Sequence, residues 1–166
     1  MRRFTRLILL TLLTLSATGV LAHPAAAVAP TTEPVDDTNI VVAEDICSFP
    51  VTIAATVVGT ETTFYDQSGD VTRIHLHIVE QDVFSANGKS LTGLPYTFNI
   101  HVLFEDGEVT HVYSSGLVAR VPLPDGTVFL SAGRLDFAAH PGAEFRIVPD
   151  VGRSGDLAAF CAALAP

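Results

Sequence analysis

Between Pro50 and Pro149 apolar and polar residues alternate in runs that are cut at intervals by turn residues. Period-two alternation is the signature of a strand with one buried face. In one run Ile74, Leu76 and Ile78 share a face while Arg73, His75 and His77 share the other; Glu80 and Asp82 fall on the apolar side. In the next, Tyr96, Phe98, Ile100, Val102 and Phe104 are apolar, and Thr97, Asn99 and His101 oppose them. Further on, Val112 keeps the apolar phase and His111 and Tyr113 lie opposite. Turn signals sit at Asp66-Gln67-Ser68-Gly69-Asp70, Asn87-Gly88, Asp106-Gly107, Pro124-Asp125-Gly126 and His140-Pro141-Gly142. Residues that tolerate positive φ or pre-set a turn dominate each of them.

Long runs joined by short turns predict an all-β antiparallel meander of 6–8 long strands. The count depends on whether Val51–Tyr65 bends at Gly59. Such a sheet curls, and its simplest closed form is a small up-and-down β-barrel, with a two-sheet sandwich as the alternative. No helical stripe appears before the C-terminus, which excludes a βαβ parallel sheet. Ser114-Ser115-Gly116 predicts a bulge, beyond which Leu117, Ala119 and Val121 take over the apolar phase. Three-residue loops at Glu105-Asp106-Gly107 and Ala86-Asn87-Gly88 would pair His101 with His111, Arg73 with His101 and His75 with Asn99.

The two ends differ from this middle. Arg2, Arg3 and Arg6 precede the apolar stretch Leu7–Leu15, and small residues follow, so residues 1–22 read as a signal peptide with cleavage before His23. The apolar stretch is shorter than the roughly 20 residues a spanning helix needs. Residues 23–45, rich in Ala, Pro and Thr with no period, are expected to be a disordered leader. Residues 46–166 then form a single domain. At its end Ser154-Gly155-Asp156 suits a helix N-terminus, and Leu157, Phe160, Cys161 and Leu164 fall on one helical face. In an exported chain the two cysteines, Cys47 and Cys161, are expected to form a disulfide that pins this short α-helix to the start of the first strand.

Charge narrows the partners. Loss of residues 1–22 would leave six basic against eighteen acidic residues, a net of about −12. Nucleic acid and anionic membranes call for a positive face, so neither is an expected partner. No membrane insertion is expected after signal cleavage, and the expected localisation is secreted, extracellular.

One constellation could carry chemistry. Under the register above, His75, His77, His101 and His111 share one face of adjacent strands, a donor set suited to Zn, Cu or Fe. The same face is also what a solvated sheet surface presents. Gly69, His75, His77, Glu80 and Gly88 resemble in order part of the first motif of the cupin family, a metal-binding β-barrel family. Here Glu80 follows His77 more closely than in that motif, and Pro124-Asp125-Gly126 lacks the histidine of the second motif. The wider layout is similar to small exported actinobacterial proteins of unassigned function, with a Cys-opened meander, Asn-Gly-Lys and Pro-Asp-Gly turns and a Cys-bearing terminal helix. In architecture alone it resembles barrels of the allene oxide cyclase and dirigent type. There is no G-x-S-x-G elbow, phosphate loop or disulfide-exchange motif. The expected function is therefore non-enzymatic binding of a small apolar or amphipathic ligand in the barrel. The alternatives are a metal-binding protein or metal-dependent enzyme built on the histidines, and an extracellular protein-interaction module.

Overall fold

The computed structural model describes residues 28–140 and 145–166. The expected signal peptide, residues 1–22, lies outside them. The strands are β1 (Thr31–Ala43), β2 (Val51–Tyr65), β3 (Val71–Ala86), β4 (Lys89–Thr92), β5 (Tyr96–Glu105), β6 (Glu108–Pro122), β7 (Val128–Asp136) and β8 (Val151–Arg153). A 3₁₀ turn spans Phe137–Ala139, and helix α1 spans Leu157–Leu164. All ladders are antiparallel, in the order β1-β2-β3-β5-β6-β7-β8, with β4 also paired to β3.

The eight-stranded meander is as the alternation predicts, but the sheet is not closed. The path of ladders runs from β1 to β8 without returning to β1, so the expected hydrogen-bonded barrel is replaced by an open, curled sheet. β8 is only three residues long and offers little to pair with. Side chains of the segment before it occupy the seam instead: Phe145 and Arg146 line a cavity together with Asp37, Asn39 and Val41 of β1, and Ile147 is buried in the core.

A second correction concerns the leader. From Thr31 onward the segment expected to be disordered is strand β1, paired with β2 continuously from Thr31↔Thr63 to Ala43↔Val51. A backbone ladder needs no apolar period, and an edge strand with both faces largely wet shows none. Its edge position also tolerates Pro34, whose missing N–H would break an interior ladder.

The turns set the register. Asn87 and Asp106 have φ of 52° and 51°, each followed by a glycine at positive φ, so both loops are two-residue turns. Ala86 pairs with Lys89 and Glu105 with Glu108. A bulge near Phe104 and the break at Gly93–Pro95 then slide the strands by two residues from the expected register. His75 faces His101, His77 faces Asn99, and His101 faces Tyr113. A slip of two preserves every side chain's face. On β6 the bulge falls between Leu117 and Ala119, slightly beyond the expected place, and Ala119 and Val121 are fully buried after it as anticipated.

One end of the curl is a packed core. Asp156 caps α1 by accepting from the Ala159 N–H at 3.0 Å, and Phe160 and Leu164 are fully buried. The Phe160 ring meets Phe84 edge-on at 5.2 Å and Phe129 at 5.1 Å, each buried ring contributing about 1.5–3 kcal/mol. The Asn87 amide donates to the Leu164 carbonyl at 3.0 Å and Lys89 to that of Ala165, so the β3–β4 hairpin holds the C-terminal end of the helix. Cys47 and Cys161 form the expected disulfide, with Cα atoms 5.6 Å apart across 114 residues of chain. Closing so long a loop is worth up to about 4–5 kcal/mol through the unfolded state. Among the described residues no helix is long and apolar enough to cross a membrane.

Candidate functional site

The other end of the curl encloses a cavity of about 290 Å³. Its walls are chiefly apolar, with Val57 on β2, Phe98 and Ile100 on β5, Leu117 and Val118 on β6, and Phe137 after β7. Such a volume is at the small end of ligand pockets, roughly 300–1,000 Å³.

Asp37 and Asn39 interrupt the apolar lining from the edge strand β1, and three polar side chains do so from the interior strands: Glu80, Tyr96 and Ser114. Alternation places them there. The parity that buries Ile78 and Phe84 on β3 also turns Glu80 and Asp82 inward, leaving them 8 % and 1 % exposed. Tyr96 lies directly across from Glu80 and is 5 % exposed. Its hydroxyl stands 2.7 Å from Glu80 Oε1 and 2.8 Å from Asp82 Oδ2.

A phenol has one proton, so it donates to one carboxyl and accepts from the other. Both contacts are hydrogen bonds only if one carboxyl is protonated. Asp82 is the better holder of that proton. Burial, reinforced by the charge of Glu80 and opposed by the Tyr96 hydrogen bond, pushes its carboxyl up to about 8. Its other oxygen, Oδ1, is buried with no partner, a state that costs far less for a neutral acid than for a carboxylate. Asp82 therefore donates to Tyr96, and Tyr96 donates to Glu80, which fronts the cavity. Burial and the two adjoining carboxyls hold the Tyr96 hydroxyl far above the usual phenol range, so it keeps its proton.

At the rim, Arg146 donates to Asp150 at 2.8 Å, and His140 lies 2.6 Å from the same carboxyl. The Asp136 backbone N–H, Arg146 and His140 together hold the Asp150 carboxyl well below its ordinary range.

The sequence-predicted histidines lie on the opposite, outer face. His75 Nε2 and His77 Nδ1 point at Asn99 Oδ1, at 3.2 Å and 3.0 Å. His75 stacks on His101 at 4.8 Å, His101 on Tyr113 at 4.7 Å, and the Arg134 guanidinium sits 4.2 Å above the Tyr113 ring. His111 lies at the edge of this stack, its ring tilted against Tyr113 at 5.4 Å, and accepts from Arg134 at 2.9 Å with Asp136 3.4 Å away. His75, His77 and His101 are thus brought together, but as a stack of rings rather than as nitrogens converging on a point. Among the described residues no group of three or more His, Cys, Asp or Glu side chains has an arrangement that could hold a metal ion.

Sequence reading placed Glu80 and Asp82 on the apolar face without giving them a role. The available signal was that parity itself: two consecutive inward positions carrying acids must find partners or protons.

No protein-family model, curated protein or solved structure matches this chain.

Proposed function

We propose that this protein is a secreted, non-enzymatic binder of a small apolar or amphipathic molecule, held inside the curled sheet. The observation that carries the reading is the cavity of about 290 Å³, walled by side chains from both halves of the meander and interrupted by a few polar groups. An apolar enclosure with a small number of placed polar side chains is the usual form of a small-molecule site. The volume is about twice the roughly 150 Å³ of an engineered cavity that takes one benzene, so the guest is of the size of a medium alkyl chain or a two-ring body. Export is supported by the Cys47–Cys161 disulfide, which persists in oxidising compartments.

Titration calorimetry with 1-octanol tests this. One saturable site per chain is expected, lost in Val57→Trp and in Leu117→Trp, which fill the cavity from opposite walls. Far-UV circular dichroism and the disulfide-bonded mass should be unchanged in both. Absence of saturable binding to the parent chain, or undiminished binding in both variants, would overturn the reading.

A further inference from the structure

We propose that the cavity selects a molecule with a single protonated amine on an apolar body, with Glu80 as its counter-ion. The inference rests on the cavity being a ligand site and adds the chemical class of its occupant.

The argument is an account of donors and acceptors. The distances of 2.7 Å and 2.8 Å call for one protonated carboxyl beside the phenol. With that proton on Asp82, the more deeply buried and the one with an unpartnered oxygen, the Tyr96 proton is committed to Glu80. Arg146, the positively charged side chain on the cavity wall, is committed to Asp150 at 2.8 Å. The Ser114 hydroxyl can give one hydrogen bond and accept others, and the Asn39 amide both donates and accepts. Glu80 and Asp37 add two carboxyls to the lining, while the charge of the Arg146 guanidinium is already paired with Asp150. A carboxylate or phosphate guest would therefore meet neutral donors and carboxyls of like sign, with no unpaired cation among the described lining residues to balance it. An ammonium has three donors and no acceptor, which is the complement of this wall.

The charge count agrees. Two ionised carboxylates bridged by one hydroxyl would demand two counter-charges, whereas a shared proton reduces the pair to one negative charge. Asp82, at 1 % exposure, is out of a guest's reach; Glu80 lines the cavity. A single ammonium would therefore neutralise the Glu80–Asp82 pair, and the low-polarity walls strengthen that pairing relative to water. The acidic excess of the whole chain, eighteen Asp and Glu against nine Lys and Arg, favours the approach of a cation.

Calorimetric titrations with octylamine, 1-octanol and octanoate at pH 7 separate the possibilities on the unaltered protein. Octylamine carries its charge at this pH as lysine does. It should bind at least tenfold more tightly than 1-octanol, and octanoate should bind most weakly. In Glu80→Gln the octylamine advantage over 1-octanol, both measured on that variant, should fall to within about threefold. If 1-octanol binds but octylamine shows no advantage, or octanoate binds best, the amine assignment is wrong while the cavity reading stands. If none of the three binds, the cavity reading fails with it. The ranking on the parent chain decides the matter even if Glu80→Gln does not fold.

Discussion

Strand β3 carries two pairs of polar residues spaced at i, i+2, and the two faces treat them in opposite ways. His75 and His77 point outward, where both hydrogen-bond to Asn99 and His75 stacks on His101. Glu80 and Asp82 point inward, where Tyr96 alone bridges them and one oxygen of Asp82 has no partner at all. Identical spacing in the chain therefore yields a solvated ladder on one side and a proton-sharing unit on the other. What separates them is desolvation: the inner pair is taken almost wholly out of water and the outer pair is not.

The largest expected effect of that difference is on pH dependence. Asp82 has a folded value near 8 against an ordinary 3.8, so its contribution to stability is fully present below about pH 4 and is lost as pH rises through 8. Asp150, held below its ordinary value, acts in the opposite sense, its contribution being lost in acid. Urea denaturation from pH 5 to 9 should show the parent weakening by a few kcal/mol, since each tenfold difference in proton affinity between folded and unfolded chains corresponds to about 1.4 kcal/mol. Asp82→Asn, which imitates the protonated acid, should flatten this decline and be the more stable chain at pH 9. A variant that declined in parallel with the parent would remove the proton from Asp82.

Next in size is Tyr96→Phe. Removing the bridging hydroxyl should destabilise the fold at pH 7 by about 1–3 kcal/mol, the cost of leaving buried polar groups without a partner. The urea midpoint is the readout, and a change below about 0.5 kcal/mol, on the scale of ordinary surface substitutions, would show that the inner pair is as indifferent as the outer one. Replacing His75 and His77 together by Ala should cost about 1 kcal/mol or less and leave 1-octanol binding where it was. A large loss of binding would mean that the outer face reaches the cavity.

The smallest effect sharpens the outer side of the comparison. Burial first, and then the charges of His75, Arg73 and Arg134, hold His101 below the ordinary histidine value. His75→Ala removes one of those charges and also opens the stack, so the His101 titration followed by NMR should move up towards the ordinary value. An unmoved midpoint would show that stacking, and not charge, is what the two rings share.

Much of this arrangement was legible in the chain. Alternation sorted the faces of β3 and β5 correctly, and Asn87-Gly88 and Asp106-Gly107 announced their hairpins. The bulge on β6 was visible as a change of apolar phase. The pairing of Cys47 with Cys161 and the buried face of α1 also followed from position and spacing. Three features were hidden for physical reasons. Strand β1 is held by backbone ladder at a wet edge, so Thr31–Ala43 has no hydrophobic period to read. Register depends on whether a loop closes with two residues or three, and His101 meets Tyr113 rather than His111 because of a bulge beyond the turn. The site itself was passed over because a search for convergent ligands favours histidines. Two acids on an apolar face are informative only when the cost of burying them is considered.

The disulfide has a topological consequence. Together with the backbone it makes residues 47–161 into a covalent ring, and β1, ending at Ala43, lies outside that ring. A protease cut at any of the hairpin turns from Asp66 to Asp125 would leave the ring opened but its pieces still linked. The wall contributed by Asp37, Asn39 and Val41 has no such guarantee: it lies on an edge strand paired on one side only and attached to the ring at its C-terminal end alone. Peeling β1 away would uncover the cavity while the ring stayed whole. The cavity's enclosure and the molecule's covalent integrity are thus assigned to different parts of the chain.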